Sequence, residues 1–501
     1  MHTSNIKVIG ATFQKVADIV LPTMGAKGRM AVLAQDMDRP LLTDDGVTVA
    51  AECYYFDNQF EKMIATSMIE AARNTEKEAF DGTTLTILLT NEFYKLGYKW
   101  IRKGMHPQAS ADTIEILANE IRQSLAIQKF PINPKLVKDL ATISTKIPAV
   151  GDLVFAAYKK AGDGMNIIIE HDRENTKTSV QHTDGMVLES GYKFEVMTTR
   201  CNEGDKTVYE NAHIVLLSQD FMTSGNINDF FRSIPEDHVK DPFVFFMTPK
   251  FNPESFQFLL ETLSRNQMQF QFVYIHEELP EELYMDIAAK TNGLIQDVIS
   301  GSNHYLYQHC GLAGKIVIEQ DKTTITQTEG DVRARVEKYQ KELDKDKFVI
   351  SSIRTATVKR RLSALTSGVV KIKLAVPTIT EFQTIRMKLD DAIGAVRCAI
   401  RNGLLRGAGK ALSIVAQEYK GDIKKLLHKP AMTIASNAGL KLNSTTLKSK
   451  DESYNVKTKE YVHLIKDGIV DSFDSIDASV KNSASIASNY LRAYILIHHK
   501  K

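Results

Sequence analysis

Residues 387–412 read MKLDDAIGAVRCAIRNGLLRGAGKAL. The stretch predicts a helix that carries Asp390 and Asp391 near its start and ends at Gly403, since glycine commonly follows a helix C-terminus. A Gly-Ala-Gly triplet at 407–409 follows the helix. The segment therefore predicts a pair of acids on a helix that leads into a turn of small residues.

A second stretch, LPTMGAKGR (21–29), also places glycine beside charge. Gly25 and Gly28 free the backbone to approach a ligand, while Lys27 and Arg29 supply positive charge. The spacing differs from GxxxxGK[ST], so this stretch is not an ordinary phosphate-binding P-loop.

A third stretch, LLTDDGVTVA (41–50), contains an Asp-Gly step. Asp45 followed by Gly46 between two β-like runs predicts a hairpin turn, because such turns need the positive φ that these residue types tolerate. Taken alone, a plain turn without a ligand is the simpler interpretation.

A fourth stretch, FDGTTLTILL (80–89), precedes an apolar run with helical spacing. Asp81 is predicted to be the N-cap, with Thr83 and Thr84 in the first turn, where backbone N–H groups point outward. The same geometry binds anions. The stretch thus predicts either a helix cap alone or a cap that also holds a phosphate.

Periodicity along the chain predicts a helical part, then an α/β part, then a second helical part. The first part contains a helix after Asp81 that closes near Gly104, and another over 109–127. Because the helical ends flank the α/β part, we expect them to fold together. The predicted strands are 166–170, 213–218, 243–248, 270–275 and 371–376, and the helices beside them are 227–234, 253–264 and 280–291.

Composition excludes several classes of protein. A chain of 501 residues is too long for one core, and its 63 Lys plus Arg nearly balance its 61 Asp plus Glu. Long apolar runs and a secretory signal are absent, and His304, His309 and Cys310 match no zinc spacing. We therefore predict a cytoplasmic protein of several units that binds neither nucleic acid nor membrane.

The segments above, with others in the same order, resemble the group I chaperonins, which are ATP-driven protein-folding rings. The resemblance runs over nearly the whole chain, and its collinear order is hard to explain by chance. It is carried by AKGR, DDGVTVA, DGTT, ATIST...VGDLVFAAYKKAGDGMNIIIE (141–170), DGMVLESGY (184–192), LDDAI...GLLRGAG and SYNVKTKEYVHLIKDGIVD (453–471).

The resemblance implies a multidomain α+β fold with three domains. Hinges are expected near Gly185, Gly368 and Gly403, where glycine tolerates the dihedral changes of domain motion. The implied domains are a discontinuous, mainly helical equatorial ATP-binding domain (1–126 and 403–501), a small α/β intermediate domain (127–184 and 369–402) and an α/β apical substrate-binding domain (185–368).

The resemblance also implies ATP hydrolysis, with ATP, Mg²⁺ and K⁺ as ligands. Asp81 would bind Mg²⁺, since a hard cation prefers carboxylate oxygen. Asp45 would lie near the γ-phosphate, and Asp391 would orient the attacking water. The other implied nucleotide contacts are Thr23, Met24, Gly25, Gly82, Thr83, Thr84, Gly407, Ala408, Asn455 and Asp471.

The implied partners are unfolded client proteins, further copies of the chain in a seven-membered single or double ring, and a co-chaperonin lid. Exposed apolar stripes are what a binder of unfolded chains needs, although without the resemblance such stripes would be assigned to a core. The implied polypeptide-binding residues are Tyr192, Val196, Phe231, Ile234, Phe256 and Leu260.

Four residues depart from the family pattern around the phosphates. Phe80 stands where the family has glycine, Leu85 replaces a third threonine, Asp44 replaces a basic residue and Ala408 replaces a glycine. The changes remove one hydroxyl and add a negative charge. They predict weaker or differently tuned nucleotide binding.

Other departures concern communication between subunits. Ser190 and Ile379 replace the arginine and glutamate of a salt bridge that links neighbouring subunits in the family, and the Gly-Gly-Met tail is missing. Positive cooperativity is therefore doubtful, and a phage-encoded or accessory chaperonin in a host bacterial cytoplasm would suit this pattern. The alternative is a chaperonin-like ring or binding protein without a productive ATP-driven cycle. A kinase or P-loop enzyme lacks its signatures.

Overall fold

The structure is a computed structural model, and it describes residues 2–34, 41–173, 175–192, 201–202, 206–217, 224–247, 253–275, 280–296, 306–345, 352–366, 368–440 and 451–493. The chain divides into two compact units. The first unit joins Met1–Ala156 to Pro377–Lys501, and the second is Ala157–Val376. The two ends of the chain therefore share one unit.

The N-terminal part of the chain is mainly helical. The helix after the DGTT stretch ends at Arg102, and Gly104 follows it with a φ of +99°, which confirms the predicted helix end. The elements are α1 (His2–Val20), β1 (Ala31–Leu33), β2 (Leu41–Thr43), α2 (Gly46–Ala51), α3 (Gln59–Ala79), α4 (Thr83–Arg102), α5 (Pro107–Ile127), α6 (Pro134–Thr145) and α7 (Pro148–Ala161).

The second unit alternates strands and helices. Its elements are β3 (Ile167–His171), β4 (Ser179–Thr183), β5 (Gly185–Leu188), β6 (Thr207–Leu217), α8 (Ser224–Ser233), β7 (Phe243–Met247), α9 (Pro253–Arg265), β8 (Phe270–Tyr274), α10 (Pro280–Thr291), β9 (Ile295–Gln296), β10 (Gly311–Ile318), β11 (Thr323–Thr326), α11 (Arg333–Lys345), α12 (Ser352–Thr366) and β12 (Val369–Leu374).

Two sheets organise the second unit. A seven-stranded mixed sheet has the order β5-β11-β10-β6-β7-β8, with β9 also paired to β6, and a three-stranded sheet has the order β3-β12-β4. Strands β6, β7 and β8 are parallel, and β7 and β8 are buried along their whole length. Such continuous apolar runs are typical of parallel strands covered on both faces, so the predicted strands at 243–248 and 270–275 are confirmed.

The C-terminal part returns to helix. Its elements are α13 (Ile379–Asn402), β13 (Leu404–Arg406), α14 (Lys410–Val415), α15 (Gly421–Asn437), β14 (Glu452–Asn455), β15 (Glu460–His463), β16 (Val470–Ser472) and α16 (Phe473–Arg492). Within the described residues, no helix combines the length and the apolar character needed to span a bilayer.

The core of the first unit is built from both chain ends. The last helix, α16, packs against α3, α4 and α5, and its apolar side chains join one buried cluster with those of the N-terminal helices. Three of its serines face the same way: Ser479, Ser483 and Ser488 are fully buried. Because buried hydroxyls need partners, these serines bond to neighbouring helices, as in the 2.8 Å bond from Ser483 to the carbonyl of Thr86.

Three local predictions were wrong. Asp45 is not in a hairpin, because its carboxylate accepts the Thr48 backbone N–H at 2.8 Å and thereby caps α2. The N-cap of α4 is Gly82 rather than Asp81. Helix α13 begins well before Asp391. Its N-cap is Thr378, whose hydroxyl oxygen accepts the backbone N–H of Glu381 at 3.1 Å.

Phe80 is accommodated by a glycine on another helix. Its backbone ends α3 in a left-handed conformation with a φ of +58°. A Cβ placed on Gly394 of α13 would lie 2.1 Å from Cγ of the Phe80 ring. The ring of Phe80 therefore occupies the space that any larger residue at 394 would need.

We expect Gly394→Ala to destabilise the protein by roughly 2 kcal/mol, since the added methyl overpacks this contact. Phe80→Gly in the same chain should restore stability, because it removes the ring and suits the positive φ. Urea unfolding of both variants checks this. Alanine normally improves a helix, so a Gly394→Ala protein as stable as wild type would contradict the contact.

Candidate functional site

The first unit encloses a cavity of about 410 Å³. The residues implied for nucleotide binding and catalysis come from segments far apart in sequence, yet all except Gly407 line this cavity. They are Thr23, Met24, Gly25, Asp45, Asp81, Gly82, Thr83, Thr84, Asp391, Ala408, Asn455 and Asp471.

One wall is the N-terminus of α4. Gly82 has a φ of +91°, and its N–H donates to the Asp81 carboxylate at 2.7 Å. Among the residues that the structure describes, no side chain caps this helix, so its first-turn N–H groups at Thr83 and Thr84 border the cavity without a side-chain acceptor. Unsatisfied N–H groups and the helix dipole together form an anion site. The open N-terminus of α4 therefore supports the interpretation that this stretch binds a phosphate.

A second wall is the turn before α2. A Cβ on Gly46 would lie 2.3 Å from the Thr84 hydroxyl oxygen, so only glycine allows this approach. The contact brings the capping carboxylate of Asp45 against the start of α4. Sequence predicted both stretches, and their direct packing explains why a glycine follows Asp45.

The C-terminal segment supplies a third wall. Strands β13 and β16 are antiparallel, with Leu405 opposite Asp471. Gly407 does not line the cavity, and its N–H donates to the carbonyl oxygen of Ile469 at 3.0 Å. Ala408 lines the cavity with a φ of +56°, a conformation that glycine adopts at lower cost. Alanine in place of glycine at position 408 therefore strains the backbone but leaves the cavity open.

Five carboxyl groups on the cavity wall crowd one another: Asp45, Glu76, Asp81, Asp391 and Asp471. Burial, followed by the charge of Glu76, raises the pKa of Asp391 to about 7. Burial and the charge of Asp81 raise the pKa of Asp471 to about 7. Burial also raises the pKa of Asp81 and of Glu76, with Asp45 adding to both shifts. The acids thus lack enough positive charge around them.

This donor set fits a magnesium ion. Mg²⁺ prefers oxygen ligands, and it usually binds through one or two carboxylates together with substrate phosphates. Burial and, to a smaller extent, the charge of Asp45 raise the pKa of Asp81, and a divalent cation among the buried acids would offset both effects. Asp81 is a candidate ligand, because it adjoins the N-terminus of α4, where a phosphate that shares the cation would bind.

Sequence reasoning missed several cavity residues, chiefly Lys146, Lys388, Glu76 and Asp139. Lys388 stands three residues before Asp391, which was the one available signal. Lys146 follows α6 and carries no motif of its own. One carboxylate oxygen of Asp139 is buried and, within the described part of the chain, has no hydrogen-bond partner.

Asp44 does not add an uncompensated charge, in contrast to the sequence expectation. Lys146 Nζ donates to its carboxylate at 2.8 Å, and Lys388 Nζ lies 3.6 Å from its other oxygen. Burial opposes the ionisation of Asp44, but the hydrogen bond from Lys146 and the charges of both lysines outweigh it and lower the pKa of this carboxyl.

The implied polypeptide-binding residues are less exposed than expected. Tyr192 and Ile234 are only 4% and 8% exposed, because both belong to the core of the second unit. Their role in polypeptide binding stays a prediction, and it would require these side chains to become uncovered. Phe231, Phe256 and Leu260 are partly buried against the same core, and Val196 lies outside the described residues.

The two residues that replace the salt-bridge pair of the family, Ser190 and Ile379, are uncharged. Ser190 is buried, and its carbonyl accepts the Thr323 hydroxyl at 2.6 Å. Ile379 begins α13 with an exposed side chain. Neither can form an ion pair with a neighbouring subunit.

Among the described residues, one group of side chains has the composition of a metal site: His213, His238 and Asp241. Asp241 Oδ2 lies 3.1 Å from His213 Nε2 and 2.7 Å from His238 Nδ1. Hydrogen bonds account for both distances. His309 and Cys310 are not members of this group, and His304 lies outside the described residues.

We expect Asp391→Asn to stabilise the nucleotide-free protein in a pH-dependent way. The folded state raises the pKa of Asp391 from 3.8 to about 7, so ionisation costs stability progressively between these values and fully above about 7. The asparagine variant should therefore gain more in melting temperature at about pH 8 than at about pH 5.

Differential scanning calorimetry without magnesium checks this expectation. Asp390→Asn is the matched control, because the Asp390 side chain lies at the exposed surface beside Arg386. An equal gain for Asp391→Asn at both pH values would show that the Asp391 carboxyl ionises normally.

Comparisons with known proteins bear on the fold of the chain. Residues 16–230 match the model of the TCP-1/cpn60 chaperonin family. The structure is similar to two crystal forms of the chaperonin gp146 from the bacteriophage EL 2 (Pseudomonas aeruginosa), both determined in the presence of ATP-BeFx. The TM-scores are 0.78 and 0.71 at 18% and 17% identity, and each match covers 99% of this chain and 98% of the other.

The likeness extends over both units, which confirms the predicted chaperonin fold. The family match covers the N-terminal helices, the DGTT turn and the start of the second unit. Residues 16–230 therefore match the chaperonin family, and the chain as a whole has the chaperonin fold.

Proposed function

We propose that this chaperonin binds and hydrolyses Mg-ATP in the cavity of its first unit and uses the cycle to assist the folding of non-native proteins in a ring-shaped oligomer. The observation that supports this best is the convergence of Asp45, Asp81 and Asp391 on one cavity beside an uncapped helix N-terminus. Phosphoryl transfer needs positioning and charge neutralisation above all; the helix N-terminus would position the phosphates, and a cation held by the acids would supply the neutralisation.

Each part of the cavity has a distinct role in the proposed reaction. The N–H groups at the start of α4 bind phosphate oxygens, together with the hydroxyls of Thr83 and Thr84. A bound Mg²⁺ would neutralise charge on the phosphates. Asp391 accepts or shares the proton of the attacking water, and a pKa near 7 suits that task at neutral pH.

The proposed cycle also involves hinges, a client-binding surface and a ring. Three domains with hinges at Gly185, Gly368 and Gly403 would let substrate binding and hydrolysis communicate. Clients would bind at the partly buried Phe231, Phe256 and Leu260 once these side chains are uncovered. A seven-membered ring, single or double, with or without a lid, would enclose them. We assign K⁺ as a further cofactor, and a host bacterial cytoplasm as the location if the gene is carried by a phage.

ATPase assays with and without magnesium test the reaction. Asp391→Ala should lower turnover by roughly 100-fold, the usual contribution of a positioned proton acceptor. Asp390→Ala is the control, since Asp390 pairs with Arg386 and is not a lining residue. Equal turnover in wild type and Asp391→Ala would exclude the assigned role.

Refolding assays test the chaperone cycle separately from hydrolysis. A denatured client should give a higher yield with ATP than without it, and Asp391→Ala should abolish that gain. The burial of Tyr192 and Ile234 favours the alternative, a chaperonin-like protein that binds nucleotide without productive folding. A client yield that is independent of ATP, in a protein that hydrolyses ATP, would select this alternative.

A further inference from the structure

Two lysines and one carboxylate form a connected group at one end of the cavity, which we call the Asp44 group: Asp44, Lys146 and Lys388. Lys146 Nζ donates both to Asp44 Oδ2 at 2.8 Å and to the backbone carbonyl of Thr23 at 3.2 Å. Lys388 Nζ lies 3.6 Å from the other oxygen of Asp44. One carboxylate therefore holds two ammonium groups that come from different helices.

The Asp44 group lies where phosphates are expected. Lys146 contacts the Thr23 carbonyl, and Thr23 belongs to the backbone turn that borders the cavity. Lys388 lies on α13 three residues before Asp391. Both ammonium groups act electrostatically on Asp81. The two lysines therefore flank the acids assigned to magnesium and to water.

The ion pairs within the Asp44 group are open to exchange. The side chains of Lys146, Asp44 and Lys388 are 29%, 24% and 26% exposed. Partly solvated pairs between single charges are weak. A triphosphate carries several charges and accepts stronger charge-assisted hydrogen bonds, so it competes well for the same donors.

We propose that Asp44 is an internal counter-anion, which holds Lys146 and Lys388 in the nucleotide-free protein and yields both lysines to the phosphates of ATP. This inference rests on the proposed function, because it requires a nucleotide in the cavity. It assigns the positive charge of the phosphate site to two residues that no sequence motif marks.

The exchange also gives nucleotide binding a mechanical effect. Lys146 is the residue that ends α6, with a φ of +60°, and Lys388 belongs to α13. When both ammonium groups turn from Asp44 to the phosphates, the end of α6 and the segment of α13 that carries Asp391 respond together. The water-orienting acid is thereby set by the arrival of the substrate.

Calorimetric titration with ATP and with ADP tests the exchange. Lys146→Met and Lys388→Met should each weaken ATP binding by about tenfold, the loss of one charge-assisted bond. Asp44→Asn should tighten ATP binding, because the phosphates then have no competitor. Effects on ADP should be smaller, since Lys388 lies beside the acid assigned to the γ-phosphate water. Lys138→Met is the control: Lys138 lies on the same helix as Lys146 but pairs with Asp152.

The double variant Asp44→Asn with Lys146→Met shows whether Asp44 competes with the phosphates for Lys146 or only positions this lysine. If Asp44 competes with the phosphates, Lys146→Met must cost more ATP affinity in the Asp44→Asn background than in wild type. A smaller cost in that background, or Lys variants that bind ATP as wild type does, would overturn the proposal. The tighter binding of Asp44→Asn cannot come from misfolding. A wild-type protein that binds no ATP would instead overturn the proposed function itself.

Discussion

The return of the last helix onto the first ones is the contact on which the candidate site depends. Helix α16 packs against α3, α4 and α5 and buries its serines among them. The Ser479 hydroxyl lies 3.0 Å from the carbonyl of Gly82, and Arg122 forms a two-pronged ion pair with Asp477 at 2.8 Å. The helix thereby fixes the DGTT turn and delivers Asp471, just before its start, to the same cavity.

This assembly places several buried carboxyl groups close together in the cavity. Burial raises the pKa of Asp391 and of Asp471, the charges of neighbouring carboxyl groups add to both shifts, and each ionisation therefore opposes folding. Such unfavourable electrostatics in a cavity mark a functional site more often than a structural one. The cationic side of the cavity is asymmetric, because Lys146 and Lys388 contact Asp44 directly and act on Asp81 only over a longer distance.

Sequence predicted much of the fold because its strongest signals are periodic. Helix α4 and the buried strands β7 and β8 follow directly from apolar spacing and from glycine at a helix end. Local signals failed where one residue type serves two purposes. Asp45 before glycine suits a hairpin and a helix cap equally, and only the hydrogen bond to Thr48 decides between them.

The candidate site was predictable only where motifs are contiguous. The acids and glycines lie in short, recognisable stretches, whereas Lys146 and Lys388 become site residues through tertiary packing alone. The contact between Phe80 and Gly394 is equally invisible in the sequence, since it joins two separate helices. Burial of Tyr192 and Ile234 could not be anticipated, because an apolar stripe looks the same whether it faces a core or a partner.

The discontinuity of the first unit sets the order in which the chain can mature. The second unit is a continuous segment, Ala157–Val376, and it is complete while the ribosome is still adding the C-terminal part. The first unit lacks β16 and α16 until residues 470–492 have been made, so its N-terminal helices remain until then with an uncovered apolar face. The chain is thus exposed to aggregation until α16 emerges and covers this face.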